Sequence, residues 1–255
     1  MEENMSAPKV MVFADAEEVA RAAAECFVES SREAIRAAGR FSVALSGGST
    51  PQRAYQLLAS DPFKKRVDWT KTHIFFGDER CVPPSDADSN YRMADEALLA
   101  RVPLPPQNIH RITGEGDAVA GARLYEDELQ TFFAGSEWPR FDLVLLGMGD
   151  DGHTASLFPG TAALTEQRAW VAANWADKLN AYRITLTAPS INQAARVVFL
   201  VTGAGKAARL AEVIKGPREP ARLPAQLIQP ASGALEWFLD RAAASQLSQA
   251  SFIDE

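Results

Sequence analysis

Chemistry in this sequence concentrates in four polar segments, each following a short apolar run. The first is Ser46-Gly47-Gly48-Ser49-Thr50-Pro51. Two glycines let the backbone curl and approach a ligand closely, while hydroxyls and the N–H groups of a following helix converge on one point. That combination suits a phosphate; the plain alternative is a tight turn with a Thr cap. The second is Gly77-Asp78-Glu79-Arg80. Its Arg80 offers a planar fork for phosphate or carboxylate that lysine cannot copy, with the two acids expected to hold it. A solvated salt-bridged turn is the plain alternative. The third is Gly147-Met148-Gly149-Asp150-Asp151-Gly152-His153-Thr154. It fits G-x-G-x-x-G literally, but acids stand where a pyrophosphate is cradled, and Pro159 breaks the helix that ought to follow. A dinucleotide site is therefore rejected. The loop presents a carboxylate, Asp151, and an imidazole, His153, at a strand end, which suits acid–base work better than a purely structural histidine. The fourth is Thr202-Gly203-Ala204-Gly205-Lys206. It is not a Walker A loop, yet Lys206 in the first turn of a helix reaches an anion bound over the sheet; otherwise it is a surface lysine.

Other chemistries fit less well. Asp78, Glu79, Asp150, Asp151 and His153 are the one acid-and-imidazole set, without H-E-x-x-H or comparable ligand spacing, so no metal and no cofactor are expected. There is no G-x-S-x-G elbow, so an acyl transfer here uses activated water rather than a covalent serine. Cys26 and Cys81 have neither C-x-x-C nor zinc spacing and are expected as reduced thiols.

The elements that must position these segments alternate between strand and helix. Lys9–Phe13 reads as an opening strand. Asp15 then starts a helix, with Glu18 three residues on, and Val19, Ala23, Cys26, Ser30 and Ala34 recur at helical spacing up to a terminating Gly39. Phe41–Leu45 is a strand, Thr50-Pro51 a helix start with proline at the first helical position, and His73–Phe76 a third strand. Cys81–Ser89 is a loop; Tyr91–Leu99 and Asp117–Phe133 are helices. Phe141–Leu146 is a buried strand, and Thr154–Leu157 at most a short helix. Tyr182–Thr187 and Arg196–Val201 are strands, with a helix from about Gly205 to Lys215. A late strand alternates through Leu235, Trp237 and Leu239, and Asp240 caps a final Ala-rich helix. This alternation predicts an α/β fold, a Rossmann-like, mostly parallel sheet with helices on both faces, in one domain over residues 1–255. Ligands of such sheets sit beyond the carboxyl ends of the strands, where the four segments fall.

Composition narrows the partners. The 255 residues carry 26 Lys and Arg against 33 Asp and Glu, net −7, and no basic run exceeds Lys64-Lys65-Arg66. This excludes a nucleic-acid footprint. No apolar stretch approaches the ~20 residues of a membrane span, and the acidic start MEENMSAPKV lacks the apolar region of a signal peptide. A cytoplasmic protein, monomeric or a weak homo-oligomer, is expected.

Six blocks carry a resemblance: ALSGGSTP (Ala44–Pro51), FFGDER (Phe75–Arg80) with Ser89-Asn90-Tyr91-Arg92, DLVLLGMGDDGHTASLFP (Asp142–Pro159), YRITLTAP (Tyr182–Pro189), TGAGKA (Thr202–Ala207) and WFLD (Trp237–Asp240). In this order they resemble the 6-phosphogluconolactonase family, with DDGHTASLFP the most specific block. The resemblance implies a fold shared with glucosamine-6-phosphate deaminase and ribose-5-phosphate isomerase relatives. It implies cofactor-free hydrolysis of 6-phosphoglucono-1,5-lactone to 6-phosphogluconate, the second step of the oxidative pentose phosphate pathway. It makes His153 the general base with Asp151 beside it. Ser46, Gly47, Gly48, Ser49 and Thr50 become the phosphate loop, with Arg80 and Lys206 as cationic substrate-binding positions and Arg183 as a further one. Two alternatives are weaker. The related deaminases resemble D-E-Y at Asp78-Glu79-Arg80 and place a Glu where this chain has Phe158. A sugar-phosphate sensor would normally carry a DNA-binding domain ahead of a sheet that here starts by Lys9.

Overall fold

The computed structural model describes residues 8–247; residues 1–7 of the acidic amino-terminal stretch and residues 248–255 lie outside it. In chain order the elements are β1 (Lys9–Phe13), α1 (Ala16–Ala38), β2 (Phe41–Leu45), α2 (Ser49–Leu58), β3 (Thr72–Phe76), β4 (Asp78–Arg80), α3 (Asn90–Ala97), α4 (Ala118–Phe132) and β5 (Leu143–Leu146). There follow β6 (Val171–Ala176), β7 (Ala181–Leu186), α5 (Ala188–Ile191), β8 (Arg196–Val201), α6 (Ala207–Lys215) and β9 (Ala234–Asp240), with short 3₁₀ turns between several of them.

Six strands form one parallel sheet in the order β1-β9-β8-β5-β2-β3. Residues of β2 and β5 are buried throughout, as central parallel strands must be; β5 reads as a continuous apolar run and β2 as one but for the buried Ser42. Phe27, Phe41, Phe75, Phe141, Phe199 and Phe238 lie in the core around them. The α/β architecture expected from the alternation is the one observed.

Local signals worked where side chains answer backbone groups. Asp15 accepts the Glu18 N–H at 3.0 Å, and Gly39 closes α1 at φ 78° with its N–H on the Ile35 carbonyl. Val19, Ala23, Cys26, Ser30 and Ala34 are all buried on the inner stripe. Asp117 accepts the Ala120 N–H and starts α4.

Four expectations need correction. Helix α2 begins at Ser49 behind Gly48, so Pro51 is its third residue and Thr50 is not its cap. The expected strand Phe141–Leu146 is regular only from Leu143, because the Asp142 carboxylate takes both the N–H and the hydroxyl of Ser42 (2.7 and 2.8 Å). The Asp78-Glu79-Arg80 turn is a strand, and a second one, β6, had no counterpart in the sequence reading. With β7 they form a separate antiparallel sheet ordered β4-β7-β6. The final helix is a 3₁₀ turn at Ala243–Gln246 within the described residues, with Ala242 and not Asp240 at its N-cap; Asp240 accepts the Ala243 N–H at 2.7 Å from before that position. Among the described residues, no helix is long and apolar enough to cross a membrane.

Candidate active site

A cavity of about 330 Å³ opens at the carboxyl ends of β2, β5 and β8. Residues of all four polar segments line it: Ser46 to Thr50 from the first, Arg80 from the second, His153 from the third and Lys206 from the fourth. Chain segments up to 160 residues apart therefore share one site, which is the consequence of parallel strands ending on one rim.

The first segment is pinned from beneath. The fully buried Tyr55 hydroxyl accepts the Ser46 N–H at 3.0 Å and donates to the Ser46 carbonyl at 2.9 Å. Gly48, at φ 108°, turns the chain into α2, whose first N–H groups belong to Ser49 and Thr50. The Ser46 hydroxyl is buried without a hydrogen-bond partner among the described residues. An unpaired buried hydroxyl is costly, and this one lies at the cavity wall. The Thr50 hydroxyl meets that of Thr202 at 2.8 Å and ties the first segment to the fourth.

The second segment does not work as expected. Neither acid holds Arg80. Glu79 is buried and accepts the N–H groups of Arg80, Asn90 and Tyr91, each at 2.7 Å, plus the Ser89 hydroxyl at 3.0 Å. Burial raises its carboxyl pKa against these bonds. It anchors the start of α3. Asp78 accepts the Ser156 hydroxyl at 2.5 Å and the Asn90 amide at 3.2 Å. Arg80 instead donates to the Asp88 carbonyl, and no carboxylate among the described residues forms an ion pair with it. Arg183 stands opposite Arg80 in the β4–β7 ladder and donates to the Tyr182 carbonyl at 3.1 Å. Burial and the Arg80 charge push its pKa down. Arg183 does not line the cavity.

The third segment builds the acid–base pair. His153 Nδ1 lies 2.5 Å from Asp151 Oδ1, which also accepts the His153 N–H at 3.2 Å. Gly149 makes room for this pair: a Cβ there would overlap the His153 ring. Gly152 turns the chain at φ 82°, and Thr154 Oγ1 donates to the Gly147 carbonyl at 2.8 Å. Burial pushes the Asp151 carboxyl up, but the His153 hydrogen bond and charge, helped by Lys178, carry it down to about 2. Phe158 packs against the imidazole, with ring centroids 4.5 Å apart. The Thr154–Leu157 stretch is no helix but a bridge-closed turn, in which Ala155 holds φ 47° beside the cavity.

Lys206 lines the cavity and contacts Asp150 Oδ1 at 2.5 Å, which lowers the Asp150 pKa. Sequence reasoning missed Asn90 and Thr202 as wall residues and assigned Asp78 a different task. All three sat in segments already singled out, yet nothing in their spacing said which way they face. Among the described residues, no three His, Cys, Asp or Glu side chains are grouped to hold a metal ion.

Fold and cavity together define an α/β protein of the open parallel-sheet class, with its site at the strand carboxyl ends. Residues 14–237 match the family of glucosamine-6-phosphate isomerases/6-phosphogluconolactonase, and the chain belongs to that family. It is 44% identical over 218 residues to a 6-phosphogluconolactonase of Nostoc sp., covering 84% of this chain and 88% of the relative. It is 43% identical over 244 residues to a 6-phosphogluconolactonase of Synechocystis sp., covering 94% and 99%. The solved structure of 6-phosphogluconolactonase from Trypanosoma brucei superposes with a TM-score of 0.84 at 30% identity, covering 94% of this chain and 99% of that one.

Proposed function

We propose that the protein hydrolyses 6-phospho-D-glucono-1,5-lactone to 6-phospho-D-gluconate, the second step of the oxidative pentose phosphate pathway. Family membership and relatives of that name at 44% and 43% identity support the reaction. The observation that carries the site is His153, held by Asp151 at 2.5 Å, on the cavity wall it shares with the Ser46–Thr50 loop, Arg80 and Lys206.

The phosphate dianion sits against the N–H groups and hydroxyls of the loop and is neutralised by Arg80 and Lys206. Arg183, directly behind Arg80, adds field rather than contact. The lactone carbonyl is then held near His153. Nδ1 is occupied by Asp151, so Nε2 accepts a proton from water as the water oxygen bonds to the carbonyl carbon. The tetrahedral intermediate collapses by breaking the bond to the ring oxygen, which takes the proton back from the imidazolium. Asp151 fixes the ring and stabilises its charged form. Asp78 and Asn90, at the same wall, accept and donate hydrogen bonds to sugar hydroxyls. No metal or organic cofactor enters these steps. The substrate is a free sugar phosphate of the cytoplasm, met by a monomer or weak homo-oligomer.

A deaminase reading is disfavoured by Phe158. The deaminase pattern has Glu there, whereas this ring packs on His153 and cannot move a proton. The decisive assay offers freshly made 6-phosphogluconolactone and glucosamine 6-phosphate separately. Lactone hydrolysis well above the spontaneous rate, without ammonia release from the amino sugar, is expected. Ammonia release with no lactone acceleration overturns the proposal.

A further inference from the structure

The two adjacent acids of the catalytic loop are divided between two lysines from different parts of the chain. Asp150 belongs to Lys206 at the cavity. Asp151 presents Oδ1 to His153 and Oδ2 to Lys178 Nζ, 3.2 Å away. Lys178 lies in the turn Asp177–Leu179 at the tip of the β6–β7 hairpin, which reverses through Asn180 at φ 46°. The hairpin is registered along its whole length, from Val171 opposite Leu186 to Ala176 opposite Ala181. Its other edge pairs with β4, which carries Arg80. One small sheet therefore carries an arginine of the substrate cavity at one edge and, at its tip, the cation on the back of the His–Asp pair. The neighbouring Asp177 carboxylate accepts the Trp175 indole N–H at 2.7 Å, while the Lys178 ammonium is placed on Asp151 Oδ2.

We propose that Lys178 is a positioning residue for His153, acting through Asp151 to hold the carboxylate in line with Nδ1 and to favour the neutral imidazole. This rests on the reading of His153 as the base. A lysine on the far oxygen takes up part of the carboxylate's charge, so less remains to stabilise imidazolium. The other charged groups around the pair are Asp150 on the same loop, Asp177 on the hairpin, Lys206 and Arg209 from the α6 side, and Asp78 and Arg80 on β4. Of these, Lys206 pairs with Asp150, whereas Lys178 is placed on Asp151 Oδ2. The Lys178 side chain is 74% exposed, so it contributes little to stability, and its replacement leaves the fold intact.

The chain has three histidines, so proton NMR follows each imidazole separately, with His153→Gln assigning the line in question. In Lys178→Met the His153 midpoint should rise by about half a pH unit, the effect of one exposed charge across two hydrogen-bond lengths in a water-like dielectric. Lys178→Glu should raise it by about one unit, and Lys178→Arg should restore it. In an Asp151→Asn background the Lys178→Met shift should fall below half its size. An unmoved midpoint in both the Met and Glu variants overturns the proposal, as does a shift that survives undiminished in Asp151→Asn. The acid limb of kcat/KM, measured alongside, tests the base itself. A limb that stays put while the NMR midpoint moves removes His153 from the base role and leaves the Lys178–Asp151–His153 coupling standing.

Discussion

Two histidine–carboxylate pairs of nearly equal length occur among the described residues. His110 Nδ1 lies 2.6 Å from Glu128 Oε1, and His153 Nδ1 lies 2.5 Å from Asp151 Oδ1. Their surroundings differ in what remains of the ring. His110 spends its other nitrogen on His73 Nδ1 at 3.1 Å and stacks flat on Phe75, with centroids 4.2 Å apart and planes 5° from parallel. It is a buried aromatic block whose polar atoms are consumed. His153 spends one nitrogen on Asp151, has Phe158 against its ring, and lines the cavity with cations and an unpaired Ser46 hydroxyl. A short bond to a carboxylate therefore does not define a catalytic histidine. What sets His153 apart is an unspent nitrogen at a ligand-sized opening, the position a general base requires.

The largest expected contrast is kinetic. His153→Ala should lower kcat by about 10²–10⁴ with the protein still folded, the usual range for a lost general base. His110→Ala should leave kcat within a few-fold and instead destabilise the fold by about 2–4 kcal/mol, through a cavity beside Phe75 and two stranded partners. Steady-state rates corrected for spontaneous lactone opening, together with urea unfolding of both variants, check the pair. A His153 variant that keeps more than about a tenth of kcat would erase the distinction.

Next in size is Arg80, the cation on the cavity wall with no carboxylate ion pair among the described residues. Arg80→Ala should cost about ten- to a hundredfold in kcat/KM on the phosphorylated lactone, the equivalent of one charge-assisted bond of roughly 1.5–3 kcal/mol. Unphosphorylated gluconolactone should be much less affected. Equal losses on both substrates would move Arg80 from the phosphate to the oxyanion or to folding.

A smaller effect separates the two regions by pH. Burial, then the His110 and Arg40 charges, hold the His73 pKa down to about 4, against an ordinary value of 6.5. As pH falls, the unfolded chain takes up this proton first, so stability is full above about 6.5 and declines as pH falls toward 4. The half-exposed ring leaves about 1 kcal/mol after screening. Asp151, depressed to about 2, works in a lower window: its contribution is present above its ordinary 3.8 and lost as pH falls toward 2. Urea midpoints at pH 7, 5.5 and 4.5 for wild type and His73→Phe should converge at the lowest pH. The smallest expected effect is none. Incubation with EDTA should leave lactone hydrolysis unchanged, and a loss restored by zinc or manganese would shift the mechanism to metal-assisted attack.

Much of this was legible before any coordinates. Continuous apolar runs such as Phe41–Leu45 and Arg196–Val201 announce buried parallel strands, because such strands need no polar face. Asp15, Gly39 and Asp117 mark helix ends, because the unpaired N–H and C=O groups there are answered within a few residues. Glycine loops after strands pointed to the rim where the cavity opens, because ligands of such sheets gather at one rim. What escaped the sequence depended on partners far along the chain. Asp78-Glu79-Arg80 has no strand signature and becomes one only by pairing with Arg183, Ile184 and Thr185. The same triplet reads as two acids holding an arginine, until burial hands Glu79 to the α3 backbone and Asp78 to Ser156 and Asn90. That His153 stands beside an acid is likewise plain from the order of residues. That Lys178 stands behind it follows from the fold, because the turn Asp177–Leu179 lies outside the motif blocks and its direction is set by the hairpin's pairing. Local chemistry is written in neighbouring residues, whereas the direction a side chain faces, and the charge it meets there, follow from long-range packing.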